Sequence, residues 1–313
     1  MNRQIDTAFM AAIAAAAFLP AAGQAQQAGG AVTLGYGHTD LSDGGGDLSS
    51  FTLDAAGNIA FNKNVNLGLY GSFVNADPDG ADDITVGDVG AKLVYQFASG
   101  VIVGGYLDHA TLDLDDIGDL DDIGDLDATS FGGVTGYVAG DFGAEVFVGA
   151  TETSPDLPSG VDWVDFGANV RYKVSPTARI GGHLMRSDIS GSGEDVEIDT
   201  VGIGGDVAFG AGWAAFGGLN HSSVDLDDTD LTTFGIGVSY DLRHMTAIPG
   251  AVSVELARSH LDTSVGDADA DTIRLGLTFP LGGQENSTPL NSVDRAVIAP
   301  RHNSLTTLLN AAF

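Results

Sequence analysis

From about Ala31 to Gly283, hydrophobic and polar residues alternate position by position. "VTLGYGHT" sets Val32, Leu34 and Tyr36 on one face and Thr33, Gly35 and Gly37 on the other. "SFTLDAAGNIAF" sets Phe51, Leu53, Ala55, Ile59 and Phe61 against Ser50, Thr52, Asp54, Ala56 and Asn58. "TFGIGVSYDL" and "TIRLGLTFPL" repeat the arrangement with Phe234, Ile236, Val238 and Tyr240, and with Ile273, Leu275, Leu277 and Phe279. A period of two marks a strand with one apolar face. These runs extend to about ten residues, against ~5–6 for an average strand. The pattern predicts an all-β chain of about 14 strands, within bounds of about 12–16. One stretch, "FGGVTGYV" at 131–138, fits neither face cleanly.

The connectors between these strands alternate in kind. Short ones fall at 62–64, 98–100, 141–143, 175–177 and 210–212, with a longer "HMTAIPG" at 244–250. The other set, near 40–48, 75–83, 112–128, 152–162, 188–199, 225–231 and 262–271, is longer. Together it holds 31 of the 43 acidic residues and no Lys or Arg. The strand entering each long connector also recurs. Aligning His38, Val74, His109, Thr151, Arg186, His221 and His260 gives steps of 36, 35, 42, 35, 35 and 39 residues. Weak similarity at a nearly fixed step is the trace of a repeated unit, here a hairpin of about 36 residues repeated seven times.

Charge and composition narrow the function classes. A net charge of −31 excludes a nucleic-acid binder, which needs basic patches. With no cysteine there is no disulfide, thiolate metal site or cysteine nucleophile. The first 25 residues resemble an export signal: Arg3, an apolar run from Ala8 to Leu19, and small residues in "GQA" at 23–25. No apolar run reaches the ~20 residues that a membrane helix requires.

Strands of about ten residues match the ~9–11 needed to cross hydrocarbon at a tilt. The polar face is mostly Gly, Ser, Thr and Asn, as a wet lumen requires. Aromatics collect at both ends of the strands: Phe61, Tyr95, Phe97, Tyr172, Phe209 and Tyr240 beside short turns, and Tyr36, Phe51, Phe73, Phe131 and Phe234 beside long loops. Two aromatic rows flanking an apolar band are the membrane-interface pattern. A sheet in lipid must close, because open edges would leave backbone groups unpaired. The expected fold is therefore a closed antiparallel transmembrane β-barrel.

On these features residues 26–283 resemble a Gram-negative outer-membrane porin. The resemblance implies an outer-membrane location, with short turns in the periplasm and acidic loops outside. It implies passive diffusion of small hydrophilic solutes or ions through a monomer or homotrimer, in contact with outer-membrane lipid and lipopolysaccharide. It also implies a third loop folded into the pore. General porins have 16–18 strands, so about 14 suggests a narrower channel. The alternatives are a structural or adhesive barrel without a conducting lumen, and a lipid hydrolase using His221 with Ser222 or Ser223. A catalytic dyad is a single constellation with an orienting third group. The histidines recur once per hairpin instead, so no enzyme is expected.

Carrying the alternation through each strand points Asp54, Asp88, Glu145, Asp165, Asp206, Asp241 and Glu255 inward, with Lys92, Arg171, Lys173, Arg179 and Arg274. Such charges tune which ions pass. Arg171 and Arg179 lie on neighbouring strands and form a candidate basic patch.

The connector 112–128 is the longest. It contains "LDDIGDLDDIGDLD" and carries Asp113, Asp115, Asp116, Asp119, Asp121, Asp122, Asp125 and Asp127. It lacks the closing Glu of an EF-hand. Ca²⁺ or Mg²⁺ counter-ions would nonetheless relieve its repulsion, with no resident cofactor expected. Folded inward it would form an acidic constriction favouring cations; left outside it is a duplication in a tolerant loop. "GIGGDVAFG" has the glycines of a phosphate loop but sits in a strand pattern with no helix after it. The tail 284–313 reads as a mostly disordered periplasmic segment with a short terminal helix, since Leu305, Leu308, Leu309 and Ala312 fall at helical spacing. A plug or an assembly signal is the alternative.

Overall fold

The computed structural model describes residues 27–42, 46–79, 83–113, 126–191, 195–225, 229–246, 248–264, 266–282 and 288–312. The export-signal reading of residues 1–25 and the Asp-rich stretch 114–125 lie outside them.

Fourteen strands follow in order: β1 (Gln27–Leu41), β2 (Asp47–Ala60), β3 (Val65–Pro78), β4 (Ile84–Gln96), β5 (Val101–Asp113), β6 (Leu126–Ala139), β7 (Phe142–Ser154), β8 (Asp162–Ser175), β9 (Ala178–Ser190), β10 (Val196–Ala208), β11 (Trp213–Val224), β12 (Thr229–Asp241), β13 (Ala251–Thr263) and β14 (Gly266–Leu281). Each pairs antiparallel with its sequence neighbours, and β1 pairs with β14, so the sheet closes. The closing seam runs from Gly30 opposite Leu281 to Leu41 opposite Ala270.

The wall is apolar on the outside and polar on the inside, the inverse of a water-soluble barrel. Leu184, Ile203, Ile236 and Leu256 point outward and are more than half exposed, while Thr33, Ser187, Ser222 and Thr233 point inward and are buried. Only hydrocarbon rewards such an exterior. The outward aromatics stand in two rows. Tyr95, Phe97, Tyr137, Phe142, Tyr172, Phe209 and Trp213 lie at the short-turn end, and Tyr36, Phe51, Phe131 and Phe234 toward the other end.

The irregular stretch at 131–138 now has a physical reason. Phe131 and Tyr137 point outward, but Val134 points inward and packs with Tyr106, Phe147 and Met185. This part of the lumen is dry and packed, so an apolar residue belongs on both faces.

Strand reaches into the expected acidic connectors, and among the described residues 188–199 and 262–271 are mostly strand. β1 runs to Leu41 and β2 resumes at Asp47, with Asp40 opposite Asp47. The ladder extends because outward carboxylates above the apolar band gain partners across it. Arg186 pairs with Glu197 and Asp199 at 2.6 and 2.5 Å. Arg258 pairs with Asp269 at 2.6 Å, and His260 Nδ1 lies 2.8 Å from the same carboxylate. Arg186 and His260, two of the positions repeated along the sequence, are thus partners of this acidic rim.

The tail departs most from expectation. Residues 288–312 are not a disordered segment outside the barrel; they fold inside it. A short helix α1 (Val293–Ile298) and a longer one, α2 (Ser304–Ala312), lie against the inner wall. Val293 and Val297 are 0% exposed. The reason is that inward charges and glycines on the wall match the polar and apolar residues of the tail.

The inside-out wall generates a test. Ile203 lies near the middle of β10 and is 65% exposed. Ile203→Arg should destabilise the barrel in bilayers by about 2–4 kcal/mol, measured as a shift in the urea midpoint of folding into liposomes.

Candidate functional site

The site is the lumen together with the segment that fills it. Leu290 enters first, its N–H donating to Thr33 Oγ1 at 3.0 Å, and Asn291 Nδ2 donates to Thr52 Oγ1 at 3.0 Å. Ser292 caps α1 by accepting from the N–H of Arg295. The first free N–H of α1, at Val293, donates to Glu255 Oε1 at 3.1 Å. A carboxylate belongs at the positive end of a helix. Glu255 is held in turn by Arg274, 3.2 Å away.

Helix α1 can lie so close because the wall beneath it is glycine. A Cβ on Gly218 would come within 2.9 Å of the backbone of Val293 and Asp294, and one on Gly235 within 2.7 Å of the Val293 side chain. In "GIGGDVAFG", Gly202 and Gly204 occupy inward positions of β10 facing Val297 and Asp294. The motif belongs to packing, not to phosphate. At the end of α1, His183 Nδ1 lies 2.9 Å from the Val297 carbonyl oxygen.

The chain then crosses to β3–β5. Arg301 forms a two-point pair with Asp88, at 2.7 Å from Nε and 3.1 Å from Nη2, and its guanidinium stacks 4.3 Å from the Tyr70 ring. His302 lies flat on Tyr106, centroids 3.9 Å apart, with its Nδ1 2.9 Å from Asp108 Oδ2 and Nε2 3.9 Å from Glu145. Asn303 donates to Thr151 and Asp165, and its Oδ1 accepts from the N–H of Thr306 to cap α2. Arg274 Nη2 donates to the carbonyl of Ala312 at 2.7 Å, satisfying the negative end of the helix. The tail is thus tied to the wall from β1 round to β14.

Of the charges expected to face inward, Asp54, Asp88, Glu145, Asp165, Glu255 and Arg274 are buried on the lumen side. Lys92 bonds Glu145 at 2.7 Å, and Arg179 bonds Asp206 at 2.8 Å. Lys173 and Arg179 are directly opposed on β8 and β9, and Arg171 opposes Gly181. Arg171 and Lys173 are exposed, whereas Asp241 pairs with Arg243 at the short-turn end. These charges do not form a free ring around an open channel; Asp88, Glu145, Asp165, Glu255 and Arg274 dock the tail.

Of the expected acidic constriction, Asp113 ends β5 and Asp127 stands opposite Thr111 in the β5–β6 ladder. Asp115, Asp116, Asp119, Asp121, Asp122 and Asp125 lie outside the described residues. Among the described residues, no group of His, Asp and Glu is arranged to hold a metal. His221 points outward, its Nδ1 2.9 Å from Thr232 Oγ1, while Ser222 points into the lumen and bonds Thr200. These two neighbours are therefore on opposite sides of the wall.

The sequence reading holds a plug only as the alternative for the tail and prefers a disordered periplasmic segment. Two signals point to the plug: inward charges without wall partners, and inward glycines clustered on β10–β12.

No protein-family model and no curated protein matches the chain. Solved structures do. The CymD monoaromatic hydrocarbon channel is 12% identical over 82% of this chain and 89% of its own, with a TM-score of 0.50. A mutant of the TodX monoaromatic hydrocarbon channel is 12% identical over 85% and 92%, at a TM-score of 0.45. OpdO of Pseudomonas aeruginosa is 12% identical over 82% and 97%, at 0.41. At this identity the likeness is one of fold: the chain has the architecture of outer-membrane β-barrels.

Docking energetics yield two tests. Breaking a buried pair costs about 3–5 kcal/mol, so Arg301→Ala should undock the tail while leaving the barrel folded. Hydrogen exchange would show protection lost in 293–312 and kept in the strands. The second test concerns pH. Burial disfavours a charged His302, but hydrogen bonding to Asp108 and Glu145 outweighs it and raises the pKa above 6.5. Burial, reinforced by Asp206, raises the Asp294 carboxyl from 3.8 to about 7. The docked tail thus binds more protons than the free one. Docking is strongest at low pH and weakens as pH rises through the docked values. The protection factor of 293–312, the intrinsic exchange rate at each pH divided by the observed one, should be lower at pH 9 than at pH 5.5, and His302→Gln with Asp294→Asn should flatten that difference.

Proposed function

We propose that the protein is an outer-membrane channel for small hydrophilic solutes, with a lumen closed at rest by its own C-terminal segment. The observation that carries this is the pairing of a lipid-matched wall with a polar interior whose occupant is held by separable hydrogen bonds and ion pairs. A segment packed only by apolar burial would be a permanent core. One held by Asp88–Arg301, Asp108–His302 and Glu255–Val293 can exchange those partners for water. The polar lining, with Thr33, Thr52, Ser72 and Asp54 on β1–β3, suits hydrophilic cargo.

In this reading residues 1–25 direct export, the short turns face the periplasm and the acidic rim faces outside. Seven acidic connectors at the outer mouth raise the local cation concentration and favour cation passage. Arg171 and Arg179 at the inner end oppose it, so replacing both with Ala should strengthen cation preference. Lipopolysaccharide would meet the acidic rim through bridging Ca²⁺ or Mg²⁺. One observation favours a second reading, a structural barrel that does not conduct: α1 is packed without space against β10–β12.

Planar-bilayer recording separates the two. The full chain should show small, intermittent conductance, and deletion of 288–313 should give a large, steady one. A silent full chain, joined by no solute uptake into liposomes, would favour the structural barrel.

A further inference from the structure

Between the tail and the β2–β3 wall lies a cavity of about 40 Å³. Asp54, Tyr70 and Ser72 line it from the wall, and Asn291, Arg295 and Arg301 from the tail. Arg301 is committed to Asp88. The other two charges have no ion-pair partner among the described residues. Asp54 Oδ2 is buried and has no hydrogen-bond partner. Arg295, whose backbone N–H is used by the Ser292 cap, has no carboxylate at ion-pair distance from its guanidinium among the described residues. Asp54 and Arg295 therefore line one cavity without neutralising each other.

Unpaired charges in such a place are costly, and each calls for a counter-charge. Arg295 has the greater need. Arg295 is half-buried, and desolvation together with the guanidiniums of Arg301, Arg179 and Arg171 lowers its pKa to about 10, with Asp294 opposing them. An anion alone would answer Arg295 but face Asp54. A cation alone would answer Asp54 but face Arg295. A molecule carrying both charges answers both.

We propose that this cavity binds a small zwitterion, its carboxylate on the Arg295 guanidinium and its ammonium group on the Asp54 carboxylate. Amide and hydroxyl groups of Asn291, Ser72 and Tyr70 share the lining with apolar groups such as Val74 and Leu290. A cavity of about 40 Å³ admits roughly three water-sized groups. That restricts the ligand to the smallest amino-acid-like molecules and excludes sugars and aromatics. The site is half wall and half tail, so a bound zwitterion also holds the tail in place. The proposal rests on the channel reading for its use, since a barrel that passes such solutes would meet them here, but binding does not require conduction.

The test is equilibrium dialysis of the detergent-solubilised full chain with radiolabelled glycine, acetate or methylamine. Glycine should bind about 10- to 100-fold more tightly than either singly charged probe, the range expected when one charge-assisted hydrogen-bonded contact is lost. Arg295→Gln and Asp54→Asn should each lower glycine affinity by a similar factor, with heat-shifted gel mobility verifying the folded barrel. Acetate binding as tightly as glycine, or no glycine binding by the unaltered chain, overturns the proposal whatever the variants do. Conduction without glycine binding would sink the site and leave the channel; glycine binding without conduction would do the reverse.

Discussion

A backbone N–H or C=O facing hydrocarbon has no water to turn to, and the architecture descends from that constraint. It forces the strands to pair on both sides and the sheet to close through β1 and β14. Closure creates an interior as a by-product. Because lipid takes the apolar face of every strand, the interior receives the polar one. A water-soluble barrel would have filled its inside with Val, Ile and Leu; this one presents Thr, Ser, Asp and Glu to a space that the tail enters. The tail is therefore held mainly by hydrogen bonds and ion pairs, a consequence of where the apolar residues had to go.

That inversion explains the orientation of α2. Its leucines, Leu305, Leu308 and Leu309, have the spacing of a helix that buries an apolar stripe. In the structure Ser304, Thr306, Thr307 and Ala311 are the buried residues and the leucines are half-exposed. The polar face goes to the wall because the wall is polar, with Ser187 accepting from the N–H of Ser304 at 3.1 Å.

The same point marks how far the sequence could be read. Alternation, aromatic rows and hairpin step follow from lipid on one side and water on the other, and they gave the number of strands and the inward residues. The helix at 304–312 was legible from its spacing; its location was not. An amphipathic pattern says which face differs from the other, not which face is buried. Likewise Asp88 and Glu145 read as lumen charges and Asp108 drew no reading at all, since pairing with Arg301 and His302 joins residues far apart in the chain, some two hundred positions for Asp88 and Asp108. The irregularity at Val134 was a visible clue: an apolar residue on a supposedly wet face requires something dry beside it. That something is the cluster of Tyr106, Phe147 and Met185, on which His302 rests.

Glycine gives the wall its other asymmetry. On β10–β12 the inward positions Gly202, Gly204, Gly218 and Gly235 leave a smooth surface, and α1 uses it at backbone distance. On β2–β5 the inward positions carry Asp54, Tyr70, Asp88, Tyr106 and Asp108, and the tail meets these through side chains instead. One side of the lumen therefore excludes water and the other leaves a polar cavity. Contacts along β2–β5 are hydrogen bonds that water can replace, whereas along β10–β12 backbone meets backbone. The cavity lies where polar side chains of the wall meet the tail.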